Sequence, residues 1–120
     1  MRKVDRASSD ELVAFYEASA IRHGRAMEAG KTRTANRNAG AIASIYRELR
    51  RRGPADQACL LVLLESGDAS VRGWAGAHTL DFDPGKGEPV LRALAEGAGA
   101  VALSAHWTLR VWRDGELRFP

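Results

Sequence analysis

Apolar residues recur at intervals of three and four along most of this chain, the period of helices that bury one face. Leu12, Tyr16, Ala20 and Met27, with Val13 and Ile21 beside them, set such a stripe over residues 9–29. Ser8 and Glu11 stand where a capping box needs them, a hydroxyl before the first turn and a carboxylate three residues on, and Gly30 is placed to cap the other end. Ala35, Ala39, Ile42, Ile45, Tyr46 and Leu49 predict a second helix over 32–52. Its end is decorated by Arg47, Glu48, Arg50, Arg51 and Arg52 and stopped by Gly53-Pro54, with cations suiting the negative end of the helix dipole. Residues 55–65 are apolar around most of a helix circumference and predict a short, well-buried helix. Asp68 is an N-cap for a helix over 69–81, Asp83-Pro84-Gly85-Lys86-Gly87 reads as a loop, and helices follow over 88–96 and 100–113.

The second half repeats itself. Pro54, Leu60, Leu61 and Leu64 recur thirty positions on as Pro84, Val90, Leu91 and Leu94, and His78-Thr79-Leu80 is echoed by Trp107-Thr108-Leu109. A fixed period of this size predicts stacked helical hairpins. The expected fold is all-α, a right-handed α-α superhelix of three antiparallel helix pairs. It forms one domain over 1–120, with an N-terminal hairpin at 9–52 and repeats at 54–82 and 84–114. Gly73 and Gly76 thin the surface of the 69–81 helix for close packing by a neighbour, and two of Trp74, Trp107 and Trp112 are expected in structural positions.

Asp68-Ala69-Ser70-Val71-Arg72, followed by small residues and Leu80, resembles the second helix of a HEAT-type repeat. That resemblance implies structural roles for Asp68 and Arg72, capping the helix and tying neighbouring repeats. The second copy carries Ala100 and Val101 at the positions of Val71 and Arg72, so the ladder is incomplete. The chain as a whole resembles a small bacterial family catalogued as domain of unknown function twenty-nineteen. The resemblance rests on Phe15-Tyr16-Glu17-Ala18-Ser19, His23-Gly24, Ala35-Asn36, the block from Ile42 to Gly53, Val71-Arg72-Gly73-Trp74-Ala75 and Glu88-Pro89-Val90-Leu91. It implies an all-helical, HEAT-like fold and supplies no activity and no functional residues. Some small helical proteins of this type look like immunity or accessory partners in bacterial toxin systems, an analogy of fold and size alone.

Composition narrows the class. Cys59 is the single cysteine, which excludes an internal disulfide, and its apolar setting predicts a small buried hydrophobe. No apolar run approaches a membrane span, and no hydrophobic segment follows the basic N-terminus, so a cytoplasmic protein without a signal peptide is expected. Residues 1–53 hold twelve basic against six acidic residues and carry +6, while residues 54–120 carry −3.

Candidate chemistry is sparse. His23, His78 and His106 lie on different helices without metal-ligand spacing, and Lys86 between Gly85 and Gly87 lacks the rest of a phosphate loop. No catalytic residue, metal or cofactor is expected. Asn36 and Asn38 are placed to cap or to bond across to the first helix. The expected function is a non-enzymatic protein-protein interaction module with an unidentified protein partner. Its contact surface would comprise Arg72, Thr79, His106 and Arg110, with Arg47, Arg50 and Arg51 as a second patch. The alternative is nucleic-acid binding through Arg33, Arg37, Arg47, Arg50, Arg51 and Arg52 in the basic hairpin.

Overall fold

The computed structural model describes residues 2–120, with side chains from Val4 onward. Among the described residues every regular element is helical: α1 (Arg2–Arg6), α2 (Ser9–Glu28), α3 (Thr32–Arg52), α4 (Pro54–Gln57), a 3-10 helix (Ala58–Glu65), α5 (Ala69–Phe82), α6 (Pro84–Ala95) and α7 (Ala100–Arg113). They pack as two compact units, Met1–Leu60 with Pro120, and Leu61–Phe119.

In the N-terminal unit, α2 packs along α3. The capping box forms: the Glu11 amide donates to Ser8 Oγ at 3.1 Å and the Ser8 amide donates to Glu11 Oε1 at 2.8 Å. Hydrogen bonding from Ser8, its backbone amide first, holds the Glu11 carboxyl below its ordinary range. The other end of α2 is capped by Ala29, and Gly30 lies one residue beyond it with φ +71°. Gly30 N donates to Met27 O and Lys31 N to Ala26 O, the paired bonds of a Schellman turn. The turn folds back over Ala26, which is buried, while the expected core residue Met27 is exposed. Leu12, Tyr16 and Ala20 meet the expectation, as do Ala35, Ile42, Ile45, Tyr46 and Leu49 on α3. Tyr46 is fully buried and its hydroxyl accepts from Gln57 Nε2 at 3.0 Å. Burial, with Tyr46 nearby, holds the Tyr16 phenol well above its usual range. Asn38 is buried and donates to Thr34 O at 3.0 Å within its own helix, not across to α2, and Asn36 is exposed.

The segment expected as one buried helix over 55–65 is a single α turn followed by eight residues of 3-10 helix. At three residues per turn only every third position shares a face. Gln57, Leu60 and Leu63 are accordingly buried, Val62 is exposed and Cys59 is half-buried. The apolar run therefore covers far less of its circumference than an α-helical reading gives it.

In the C-terminal unit, Asp68 Oδ1 accepts from the Val71 amide at 3.1 Å and opens α5. Packing of α6 against both α5 and α7 builds a core of Leu80, Leu91, Ala105 and Leu109. Leu94, Ala95, Trp112 and the tail residues Leu117 and Phe119 close around it. The segment expected as a loop at 83–87 is instead the cap and first turn of α6. Pro84 sits at the first helical position, where its fixed φ suits the helix and its missing N–H costs nothing. Glycine is tolerated there because of packing. A Cβ on Gly87 would lie 2.8 Å from Gly76 O and 3.0 Å from Leu80 N, so only glycine lets α6 lie this close to α5. Gly76 and Gly73 serve the same closeness more loosely, with Leu91 at 3.2 Å and Val101 at 3.6 Å from a notional Cβ.

Gly87 and Gly40 should therefore answer alanine with opposite signs. Gly40 lies inside α3, and a Cβ there meets nothing within 4 Å, so Gly40→Ala is expected to gain up to about 1 kcal/mol from helix propensity. Gly87→Ala is expected to lose about 1–2 kcal/mol net, because backbone atoms cannot yield to the added methyl. Urea unfolding of both variants checks this; equal shifts would contradict the close-contact account.

Candidate functional site

Six arginines stand on α3 with one carboxylate, Glu48. The sequence pattern places Glu48 among surface charges, but it is 6% exposed. Burying a lone carboxylate is costly unless it is paired and hydrogen-bonded, and two of the arginines meet that need. Arg51 donates from Nε to Oε1 at 2.9 Å and from Nη2 to Oε2 at 2.6 Å, while Arg52 Nε donates to Oε2 at 2.8 Å. The Arg51 bonds first, then those of Arg52, hold the Glu48 carboxyl down at about 2. Arg52 continues from Nη2 to the carbonyls of Val4 (3.1 Å) and Asp5 (3.4 Å), and from Nη1 to Ser9 Oγ (3.4 Å). Ser9 Oγ in turn donates to Asp56 Oδ2 at 2.9 Å. The cluster thus ties α1, the start of α2 and α4 to the end of α3.

The cluster changes what the basic end of α3 can offer. Arg51 and Arg52 share the single carboxylate of Glu48, and Arg52 is further committed inside the unit. Arg50 donates to the Pro120 carbonyl and lies 5.6 Å from the Tyr46 ring centroid, a cation–π contact. Arg47 is exposed and, among the described residues, donates to Ser44 Oγ at 3.2 Å. Of the second patch expected from the sequence, Arg51 is ion-paired, and Arg47 has no carboxylate partner among the described residues.

The first patch is also divided. Thr79 is fully buried and donates to Ala75 O at 2.6 Å, so it presents nothing to a partner. Its hydroxyl satisfies the preceding turn of its own helix, as buried threonines commonly do. Arg72 is half-buried and donates from Nη1 to Ser66 O at 2.7 Å, bracing the turn before α5. It borders an open, mainly apolar cavity of about 350 Å³ with Leu64, Pro89, Val90, Ala93 and Leu94. His106 and Arg110 are exposed on α7 and do not line that cavity.

What gathers around His106 and Arg110 is apolar. Leu103 is 71% and Trp107 is 62% exposed. Ala102, Ala105 and Leu109 are the buried residues of α7, and at 100° per residue Trp107 points directly away from them. Ala100, Leu103, Trp107 and Arg110 follow one another at spacings of three and four along this outer face. The repeat sharpens the contrast. His78, the counterpart of Trp107 in the first copy, is 5% exposed and packs beside Trp74, ring centroids 6.1 Å apart. The same position is covered in α5 and open in α7. The spacing of Leu103 and Trp107 was visible in the sequence; which face of α7 meets the core was not.

Other candidates are quiet. His23 is half-buried, and burial lowers its pKa. Cys59 Sγ lies 3.6 Å from Ala55 O, and Lys86 pairs with Asp83 at 3.8 Å on the first turn of α6. Among the described residues no three His, Cys, Asp or Glu side chains gather where they could hold a metal ion, and no helix is long and apolar enough to cross a membrane.

A sequence profile described as Domain of unknown function (DUF2019) matches residues 10–112. No curated protein matches the sequence. Among solved structures, the crystal structure of the protein RPA1889 from Rhodopseudomonas palustris CGA009 is similar. The two are 25% identical with a TM-score of 0.90, and the match covers 98% of each chain. The chain belongs to the DUF2019 family.

Because the Glu48 pKa is depressed by folding, its contribution to stability is present in full above the ordinary carboxylate range, near 4.5, and is lost as the pH falls toward about 2. Glu48→Gln is expected to cost about 1–3 kcal/mol at pH 7 and to flatten the acid limb over that window. Denaturant titrations from pH 7 to pH 2 check both; an unchanged acid limb would show that Glu48 is not the group responsible.

Proposed function

We propose that this DUF2019 member is a non-enzymatic protein-protein interaction module that holds its partner on the outer face of α7. The observation that carries the reading is the exposure of Trp107 and Leu103 on the side of α7 opposite its core residues. A large aromatic left in water forgoes burial free energy that a partner supplies by covering it. Tryptophan and arginine are also the residues that most often dominate binding energy at interfaces, and Arg110 lies one turn from Trp107 on the same face. The complementary partner surface is apolar at its centre and carries a carboxylate toward Arg110.

The fold reading that accompanies this proposal is a HEAT-like, right-handed superhelix of three antiparallel helix pairs. It is supported by the thirty-residue echo, by prolines at the first positions of α4 and α6, and by the Asp68 cap with Arg72 bracing the preceding turn. In such arrays each unit buries the face of the one before it. An accessory or immunity-type role in a bacterial cytoplasm fits a small module of this kind.

Immobilised wild-type protein is expected to retain a partner from its host that Trp107→Ser and Arg110→Glu lose. With the retained partner purified, Trp107→Ser should weaken binding by at least about 30-fold, the scale of an interface hot spot. Melting temperatures should stay near wild type, since the side chain is not part of the core. Equal retention by wild type and Trp107→Ser would contradict the assignment.

A further inference from the structure

We infer that the outer face of α3 is a second binding surface, fitted to the phosphate backbone of duplex nucleic acid. This goes beyond the α7 reading and stands independently of it. Arg33, Arg37, Gly40, Ser44, Arg47 and Arg51 recur at spacings of four, three, four, three and four, so they share one face of α3. The four arginines are exposed. Arg33, Arg37 and Arg47 have no carboxylate partner among the described residues, and the one acid of α3 is buried under Arg51 and Arg52. Arg33, Arg37 and Arg47 therefore put positive charge on this face apart from the ion-paired Arg51 and Arg52.

The middle of the face is built for close approach. Gly40 occupies a helix interior, where glycine is disfavoured, yet a Cβ there would meet nothing within 4 Å. Among the described residues no packing uses its smallness. A glycine at such a position leaves room for a ligand that lies against the backbone. Arg37 and Arg47 are about 15 Å apart along the helix axis, enough to straddle a major groove about 12 Å wide and reach phosphates on both strands.

Composition decides between the two kinds of polyanion that such a face attracts. A protein interface carries large apolar anchors at its centre. Here the central residues are Gly40, Ala43 and Ser44, with Asn36 alongside. The arginines, Ser44 and Asn36 can all donate to phosphate oxygens, and these are the groups that contact nucleic-acid backbones. The contacts argued here are to phosphates, which carry no sequence information, so the binding is expected to be indifferent to sequence.

Fluorescence anisotropy with a labelled duplex of about 20 base pairs tests the inference. Wild-type protein is expected to bind at about 20 mM salt, with log Kobs falling against log salt at a slope near −3, one unit for each free arginine. Arg33→Gln with Arg37→Gln should reduce that slope by about two units. Gly40→Glu, which adds a good helix former where there is room, should keep or raise stability and abolish binding. Trp107→Ser should leave duplex binding unchanged, which separates this surface from the one on α7. Absence of binding at low salt, a slope near zero, or unaltered binding by Gly40→Glu would overturn the inference. So would tighter binding of a polyglutamate peptide, which would identify an acidic protein as the partner instead.

Discussion

A carboxylate taken out of water must be paired, and Glu48 is the only acid on a helix of twenty-one residues. Its pairing with Arg51 and Arg52 organises the N-terminal unit. Once Arg52 is held by the carboxylate, its remaining donors point at the Val4 and Asp5 carbonyls and at Ser9. One buried charge thereby fixes α1, the entry of α2 and α4 against the end of α3. The arrangement is more sensitive to losing one partner than its net free energy suggests, because what remains is an unpaired charge in a poor solvent. It also ties two arginines at the end of α3 into structure, while Arg33 and Arg37 stand exposed further back along the helix.

The C-terminal unit depends on closeness instead of charge. Gly87 lets α6 lie against the backbone of α5, and Leu91 then reaches the core shared with Leu80 and Leu109. The same reasoning gives Gly40 its interest. Both are helical glycines; at Gly87 neighbouring backbone explains the missing side chain, and at Gly40 none of the described residues does.

Much of the fold was legible because caps and periods are local. Ser8 with Glu11, Asp68, and the extents of α3 and α7 follow from residues a few positions apart. The failures were not local. The run Ala58–Glu65 has too many apolar residues to reveal its period, and only the structure shows that Gln57, Leu60 and Leu63 share a three-residue face. Pro84 to Gly87 carries loop-like residues, yet neighbouring backbone makes the last of them helical and indispensable. Glu48 reads as a surface charge until one sees what covers it. The candidate site was half legible: His106 and Arg110 were named from their helix, Thr79 was misplaced because its hydroxyl turns inward, and Leu103 and Trp107 were missed. Apolar spacing cannot say which of two apolar faces is the wet one, and α7 has both.

The central claim is that the outer face of α7 is where this protein meets its protein partner. Amide hydrogen exchange, measured on the protein alone and with a purified partner bound, tests it most directly. The account predicts slowed exchange concentrated in residues 100–113, with the amides of α3 unchanged. Protection confined to α3 or to the α5–α6 cavity, with α7 exchanging as in the free protein, would contradict it.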